Sequence, residues 1–177
     1  MGGRTQRMIA IFSDTHSESG HELVDDALTA AREAETVIHA GDFTTVAALE
    51  AFQDECDHLY GVSGNVDEPA VAERLPTERT VEADGIRLAV RHRPEGGETA
   101  LAMFGRSQDA DVVVFGHTHR PTVVETDDVV LVNPGSHAQP RGYRPGFAVL
   151  ERTERGLTVT IREPDGTVLE RVESSRR

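Results

Sequence analysis

The chain has 177 residues, 37% of them apolar, and sets 31 acidic residues against 18 basic ones for a formal net charge of −13. That length suits one domain spanning 1–177 around a modest aliphatic core, and the acidity leaves no broad basic surface to grip nucleic acid as a long polymer. A single cysteine, Cys56, excludes an internal disulfide and suits a reducing compartment.

Every basic residue is Arg. An acidic, Lys-free chain fits a halophilic, salt-rich cytoplasm, where screening keeps acidic surfaces soluble; a GC-rich genome would account for the missing Lys but not for the acidity. Arg4 and Arg7 precede only five apolar residues before Asp14, too few for a signal-peptide core, and Gln6 argues against myristoylation of Gly2. No apolar stretch approaches membrane-spanning length. The expected location is therefore cytoplasmic.

Residues 8–12 read as an apolar strand that ends in Ser13-Asp14-Thr15-His16. Residues two apart on an extended chain share a face, so Asp14 and His16 point the same way. Ser13 or Asp14 could instead cap a helix, an explanation that leaves His16 idle. Leu23, Ala27, Ala30, Ala31 and Ala34 predict an amphipathic helix over 20–34. The strand 36–40 then stops at Gly41-Asp42, so a second carboxylate arrives at a strand end, as on the ligand-binding rim of a parallel sheet. His39 within it reads as packed. A helix over 44–55 follows, with Cys56 as packing, and a strand over 59–63 stops at Gly64-Asn65-Val66-Asp67. Asn65 offers a neutral carbonyl oxygen, and Asp67 can orient a neighbour.

Beyond Pro69 the strands come closer together. Residues 79–83 and 86–91, joined by Asp84-Gly85, predict a hairpin that runs into Arg91-His92-Arg93-Pro94. His92 is either a further donor or a surface histidine in a basic loop. A short helix over 98–106 leads to Val112-Val113-Val114-Phe115, a continuous β-branched run that predicts a strand buried on both faces. It stops at Gly116-His117-Thr118-His119, which aims two imidazoles at one point or at two neighbouring points. A hairpin over 121–132, a constrained turn at Asn133-Pro134-Gly135-Ser136, and strands over 146–151, 157–162 and 167–172 complete the pattern. His137 and Arg141 are expected as solvated loop residues, and 173–177 are expected to fray.

Asp14, His16, Asp42, Asn65, His92, His117 and His119 thus all fall at strand ends. Oxygen and nitrogen donors in this number, with no thiolate, exceed one tetrahedral structural zinc. They suit two divalent ions, and imidazole favours manganese, iron or zinc over Ca²⁺; the expectation puts manganese first, with iron, nickel or zinc as alternatives.

The blocks Asp14-Thr15-His16, Gly41-Asp42, Gly64-Asn65-Val66-Asp67, Gly116-His117-Thr118-His119 and Asn133-Pro134-Gly135-Ser136 stand in this order between residues 8 and about 140. Together they resemble the calcineurin-like metallophosphoesterases, most closely the small single-domain bacterial and archaeal phosphodiesterases. The resemblance implies an α/β fold, a four-layer α/β/β/α sandwich of two mixed β-sheets flanked by helices. It assigns Asp14, His16, Asp42 and His119 to a first metal and Asp42, Asn65, His92 and His117 to a second, with Asp42 bridging. It implies hydrolysis of a small phosphoester, a phosphodiester in preference to a monoester, by a dimetal-bound hydroxide, with Asp42, Asn65 and Asp67 in the catalytic set and a homo-oligomer as a possible assembly. Two departures stand out. Val66 occupies the position where many members carry a histidine after the Asn. Arg91-His92-Arg93-Pro94 replaces a Thr-His-Gly-His-like block, which implies a weaker second metal and puts Arg91 or Arg93 within reach of a substrate phosphate. The rival expectation is a metal-poor scaffold or protein-interaction module, because a retromer subunit shares this fold.

Overall fold

Alternate residues of the first strand serve two different cores. In β1 (Met8–Phe12), Ile9 and Ile11 face one side and Ala10 and Phe12 the other, and all four are buried. The computed structural model describes residues 7–176; the expectations for Gly2, Arg4 and Arg177 lie outside them.

The chain continues through α1 (Asp25–Glu33), β2 (Thr36–His39), α2 (Val46–Glu55), β3 (Leu59–Gly61) and α3 (Pro69–Ala72). Next come β4 (Glu78–Ala83), β5 (Ile86–Arg91), α4 (Gly97–Ser107), β6 (Val112–Val114), β7 (Thr122–Glu125) and β8 (Val130–Asn133). The strands β9 (Phe147–Thr153), β10 (Gly156–Arg162) and β11 (Val168–Ser174) end it. One sheet has the order β11-β10-β9-β1-β2-β3, the other β4-β5-β6-β8-β7. Both are mixed. β1, β2 and β3 run parallel in the first, while β5, β6 and β8 run parallel in the second between antiparallel neighbours.

The two sheets face each other across a core of Ile9, Ile11 and Ile38 against Leu88, Val90, Val112 and Val114. On the outer face of the first sheet, Ala10, Phe12 and Val37 pack on Ala27 and Ala31 of α1 and on Leu49 and Phe52 of α2. On the outer face of the second, Ala89, Val113 and Leu131 pack on Leu101 of α4. This is the expected arrangement of two mixed sheets flanked by helices. Continuous apolar strands are what two buried faces require, and each fully buried large side chain contributes about 1.5–3 kcal/mol.

Three local expectations need correction. The helix expected over 20–34 begins only at Asp25, because the Ser17 hydroxyl accepts from the Ser19 and Gly20 amides and His21 Nδ1 accepts from the Leu23 amide. Such side-chain bonds compete with helix initiation. A single turn, α3, begun by Pro69 in its first turn, was not anticipated. Of the C-terminal residues expected to fray, three are held: Glu173 and Ser174 belong to β11, the Ser174 hydroxyl donates to Glu125, and Arg176 donates to the Thr126 carbonyl. Among the described residues, no helix is long and apolar enough to cross a membrane.

Candidate metal centre

The parallel strands deliver their C-terminal ends to one rim. From the first sheet, β1 leads into Asp14 and His16, β2 into Asp42, and β3 into Asn65; from the second, β5 leads into His92 and β6 into His117 and His119. The first two loops are stitched by backbone bonds beyond the strands, Asp14 N to Gly41 O at 2.9 Å and His16 N to Asp42 O at 3.0 Å. The two carboxylates are therefore fixed to each other before any ligand arrives.

Each carboxylate has one oxygen committed to the protein and one aimed inward. Asp14 Oδ2 accepts from the Ser13 hydroxyl at 2.7 Å and from the His117 amide at 3.0 Å. Asp14 Oδ1 has no hydrogen-bond partner and lies 3.3 Å from His119 Nε2, 3.6 Å from His16 Nε2 and 3.9 Å from His92 Nε2. Asp42 Oδ1 accepts from the Val66 amide at 3.0 Å. Asp42 Oδ2 sits between the two halves of the site, 3.4 Å from His16 Nε2 and 3.0 Å from His92 Nε2.

The imidazoles are oriented from behind. His92 Nδ1 donates to the Ala40 carbonyl at 2.7 Å and His119 Nδ1 to the Gln139 carbonyl. That fixes the tautomer and leaves each Nε2 lone pair facing the centre. His117 Nδ1 lies 3.0 Å from Asn65 Oδ1. Among the described residues, the buried Nε2 atoms of His16, His92 and His119 and Asp14 Oδ1 have no hydrogen-bond partner. Buried polar atoms in native proteins are nearly always satisfied, so four such atoms converging on one point fit bound cations. Among the described residues, Asp14, His16 and His119 form one cluster with donor atoms within 4.8 Å of one another, and Asp42, His92 and His117 form another.

Electrostatics agree. Burial alone would raise the Asp14 carboxyl, but His119 and His16, with His92 further off, hold it far below the usual carboxylate range. Burial is likewise overcome at Asp42 by His16 and His92. The Asp14 and Asp42 carboxylates lift His16 to about 9. Burial works to lower His92, yet Asp42 and Asp14 raise it. Burial, then His92 and Arg93, hold the more exposed His117 below its ordinary value. Two carboxylates held ionised at the bottom of this site suit positive charge, which the histidines carry when protonated and which divalent ions would supply when bound.

The backbone is shaped to the same end. Asp14, His16, Asp42, His117 and His119 all have positive φ, between 46° and 73°, a region non-glycine residues enter at a cost and mostly at functional sites. A Cβ at Gly116 would lie 2.1 Å from Ser13 Oγ and 2.6 Å from Asp14 Oδ2, and one at Gly64 would lie 2.0 Å from Asp42 Oδ1. Both glycines exist to let the carboxylates through.

Around the donors stand residues that hold them. Asp67 accepts from the Gly64 and Thr44 amides at 2.7 Å each and from the Asp42 amide at 3.2 Å, so it positions the Asp42 loop from outside the donor clusters. Asn133 donates to Gly116 O and Thr118 Oγ1 and accepts from the Gly135 amide. His39 is buried, bonded to Thr15 and stacked on Phe43 at 3.6 Å. His137, expected in solvent, is instead buried against Phe12 and Phe52 and bonded to the His21 carbonyl; Arg141 is exposed. Arg91, expected to reach a phosphate, is taken up by its own loop: it donates to the Arg93 and Glu95 carbonyls and lies over the Phe104 ring. Ser136 is a residue that sequence reasoning passed over as part of a turn.

The family model of the calcineurin-like phosphoesterase superfamily domain matches residues 8–155. A probable metallophosphoesterase of Methanothermobacter thermautotrophicus is 33% identical over 156 residues, covering 81% of this chain and 84% of that protein. A phosphodiesterase of Methanocaldococcus jannaschii is 29% identical over 162 residues, covering 80% of this chain and 89% of that protein. Among solved structures, zinc-complexed Vps29 from Entamoeba histolytica shares the fold at a TM-score of 0.74 and 24% identity, covering 93% of this chain and 98% of that one.

Proposed function

The chain belongs to the calcineurin-like phosphoesterase superfamily, and from that premise we propose that it is a two-metal phosphodiesterase acting on a small phosphoester, with Mn²⁺ preferred. One observation carries the reading. Asp42 Oδ2 stands 3.4 Å from His16 Nε2 and 3.0 Å from His92 Nε2, the position of a ligand shared by two cations. Asp14, His16 and His119 would complete the set that holds a first cation, and Asn65, His92 and His117 the set that holds a second. Divalent ions held there would polarise a phosphoryl oxygen and lower the pKa of a coordinated water.

The chain's own groups do the rest. Asp67 keeps Asp42 in register through three backbone amides. The Asn65 amide stands at the open side of the second cluster, where it orients an incoming phosphoryl group. Val66, half-exposed, offers no proton to a leaving oxygen. That proton comes from solvent, and esters with acidic leaving groups turn over fastest.

The test is hydrolysis of bis-p-nitrophenyl phosphate by Mn²⁺-loaded protein, with metal content measured on the same sample. Two metals per chain and activity abolished by Asp42→Ala are expected. Fewer than one metal per chain with no phosphoester hydrolysed would instead support the rival expectation, a metal-poor scaffold, since a shared fold does not fix function. The same proposal takes 1–177 as one domain working in a salt-rich cytoplasm.

A further inference from the structure

A cavity of about 480 Å³ opens beside the second cluster. His92 belongs both to that cluster and to the cavity wall, Asn65 lines the wall beside it, and Arg91, Arg93 and Glu95 close it on one side. A ligand that fills the cavity therefore lies next to the second cluster.

The two arginines of this loop have different duties. Arg91 Nε and Nη2 donate to the Arg93 and Glu95 carbonyls at 3.0 Å each, and its guanidinium lies 5.1 Å from the Phe104 ring centre. It braces the loop. Arg93 has one side-chain partner, Glu95 Oε1 at 2.8 Å, and its side chain is 50% exposed. A surface pair of this kind is worth little, so a more strongly charged anion can displace Glu95 from Arg93 without disturbing the fold. The planar guanidinium fork is then matched to a phosphate.

The larger cavity has arginines as well as carboxylates in its wall, whereas the opposite end of the centre has carboxylates without arginine. The cavity of about 280 Å³ beside His16 is lined by Glu18 and Glu22 and, among the described residues, by no arginine. An additional anionic group on a substrate is therefore disfavoured at the His16 end. Arg91 and Arg93 both line the larger cavity, with Glu78 and Glu95; because the Arg91 guanidinium is committed to the Arg93 and Glu95 carbonyls, Arg93 is the one of the two arginines there that is held by a surface ion pair alone, and the carboxylates can accept from hydroxyl groups of the same arm.

We infer that this cavity is a substrate subsite in which Arg93 binds a second phosphate, so that the preferred substrates are phosphodiesters carrying a further phosphate on the arm retained beside the second metal. This rests on the phosphodiesterase reading and names its substrate class.

The experiment uses Mn²⁺-loaded protein and the p-nitrophenyl ester of thymidine 5′-phosphate, with and without a 3′-phosphate. The 3′-phosphorylated ester is expected to have a kcat/KM about tenfold higher, and Arg93→Ala to bring that ratio to within about twofold of one. In parallel, calorimetry compares binding of thymidine 3′,5′-bisphosphate and thymidine 5′-phosphate to both proteins, a readout that needs no turnover. Tighter binding of the bisphosphate that is lost in Arg93→Ala supports the subsite even if neither ester is hydrolysed, an outcome that would sink the phosphodiesterase reading alone. Hydrolysis of both esters at equal kcat/KM, or equal affinity for the two nucleotides, or a preference that survives Arg93→Ala, overturns the subsite and leaves the phosphodiesterase reading standing.

Discussion

The hydroxyl of Ser136 donates to the backbone carbonyl of Asp14 at 2.7 Å across 122 residues of sequence. The same oxygen accepts from the Gln139 amide at 2.8 Å, and the Gln139 carbonyl accepts from His119 Nδ1. One buried hydroxyl thus ties two donors of the first cluster together. Ser136→Ala strands a carbonyl and an amide, which costs about 1–3 kcal/mol of folding stability. It also weakens Mn²⁺ binding at the first site by roughly tenfold, the usual effect of removing an outer support of a metal ligand. Urea unfolding and calorimetric Mn²⁺ titration read the two effects separately; unchanged affinity would remove Ser136 from the positioning role.

Asp67 presents two carboxylate oxygens to three backbone amides. Burial pushes its carboxyl up, and the Gly64 and Thr44 amides oppose that. Asp67→Asn keeps the shape but turns one acceptor into a donor that faces an N–H group. The expected result is a loss of about 1–3 kcal/mol in stability with fewer Mn²⁺ ions bound per chain, because Asp42 is no longer held. Metal analysis after dialysis checks it, and two tightly bound ions in the variant would contradict it.

Burial lowers the His137 imidazole to about 4 from its ordinary 6.5. A histidine depressed in the folded state is bound by more protons when unfolded, so its contribution is fully present above pH 6.5 and is lost as pH falls towards 4. Between pH 7 and pH 5 this one residue removes about 2 kcal/mol. The pH slope of stability in His137→Gln should be shallower than in the parent by that amount, measured by denaturant unfolding at the two pH values. Parallel slopes would mean that the imidazole titrates normally.

A net charge of −13 with no Lys makes self-repulsion a standing cost. The screening length falls from about 10 Å at 0.1 M salt to about 3 Å at 1 M. Thermal unfolding of the metal-free protein should therefore shift to higher temperature between 0.1 M and 2 M KCl, and the gain should be smaller once Mn²⁺ has neutralised Asp14 and Asp42. A melting temperature indifferent to salt would leave the acidity without a stabilising environment.

The strands and their terminal donors were legible because each carries a local signal, an uninterrupted apolar run that stops at Gly, Ser, Asp or His. Long-range supports were not. His137 looks like a solvated loop residue until the fold brings Phe12 and Phe52 onto it. Arg91 looks like a phosphate ligand until the carbonyls of 93 and 95 turn back to meet it. The start of α1 was misread for a simpler reason, since Ser17 and His21 offer the backbone a local alternative that apolar periodicity does not register.

Five donor residues in left-handed backbone carry a lesson for engineering. Side chains alone cannot transplant this centre: the same aspartates and histidines grafted onto regular extended strand ends would leave the backbone in other directions, because each of these five side chains is aimed by its own left-handed φ. A functional graft must carry the turns themselves, with Gly64 and Gly116 as clearance and Ser136 and Asp67 as anchors. Conversely, random mutation can erase the chemistry at any of those turns while leaving the apolar sandwich beneath it free to fold.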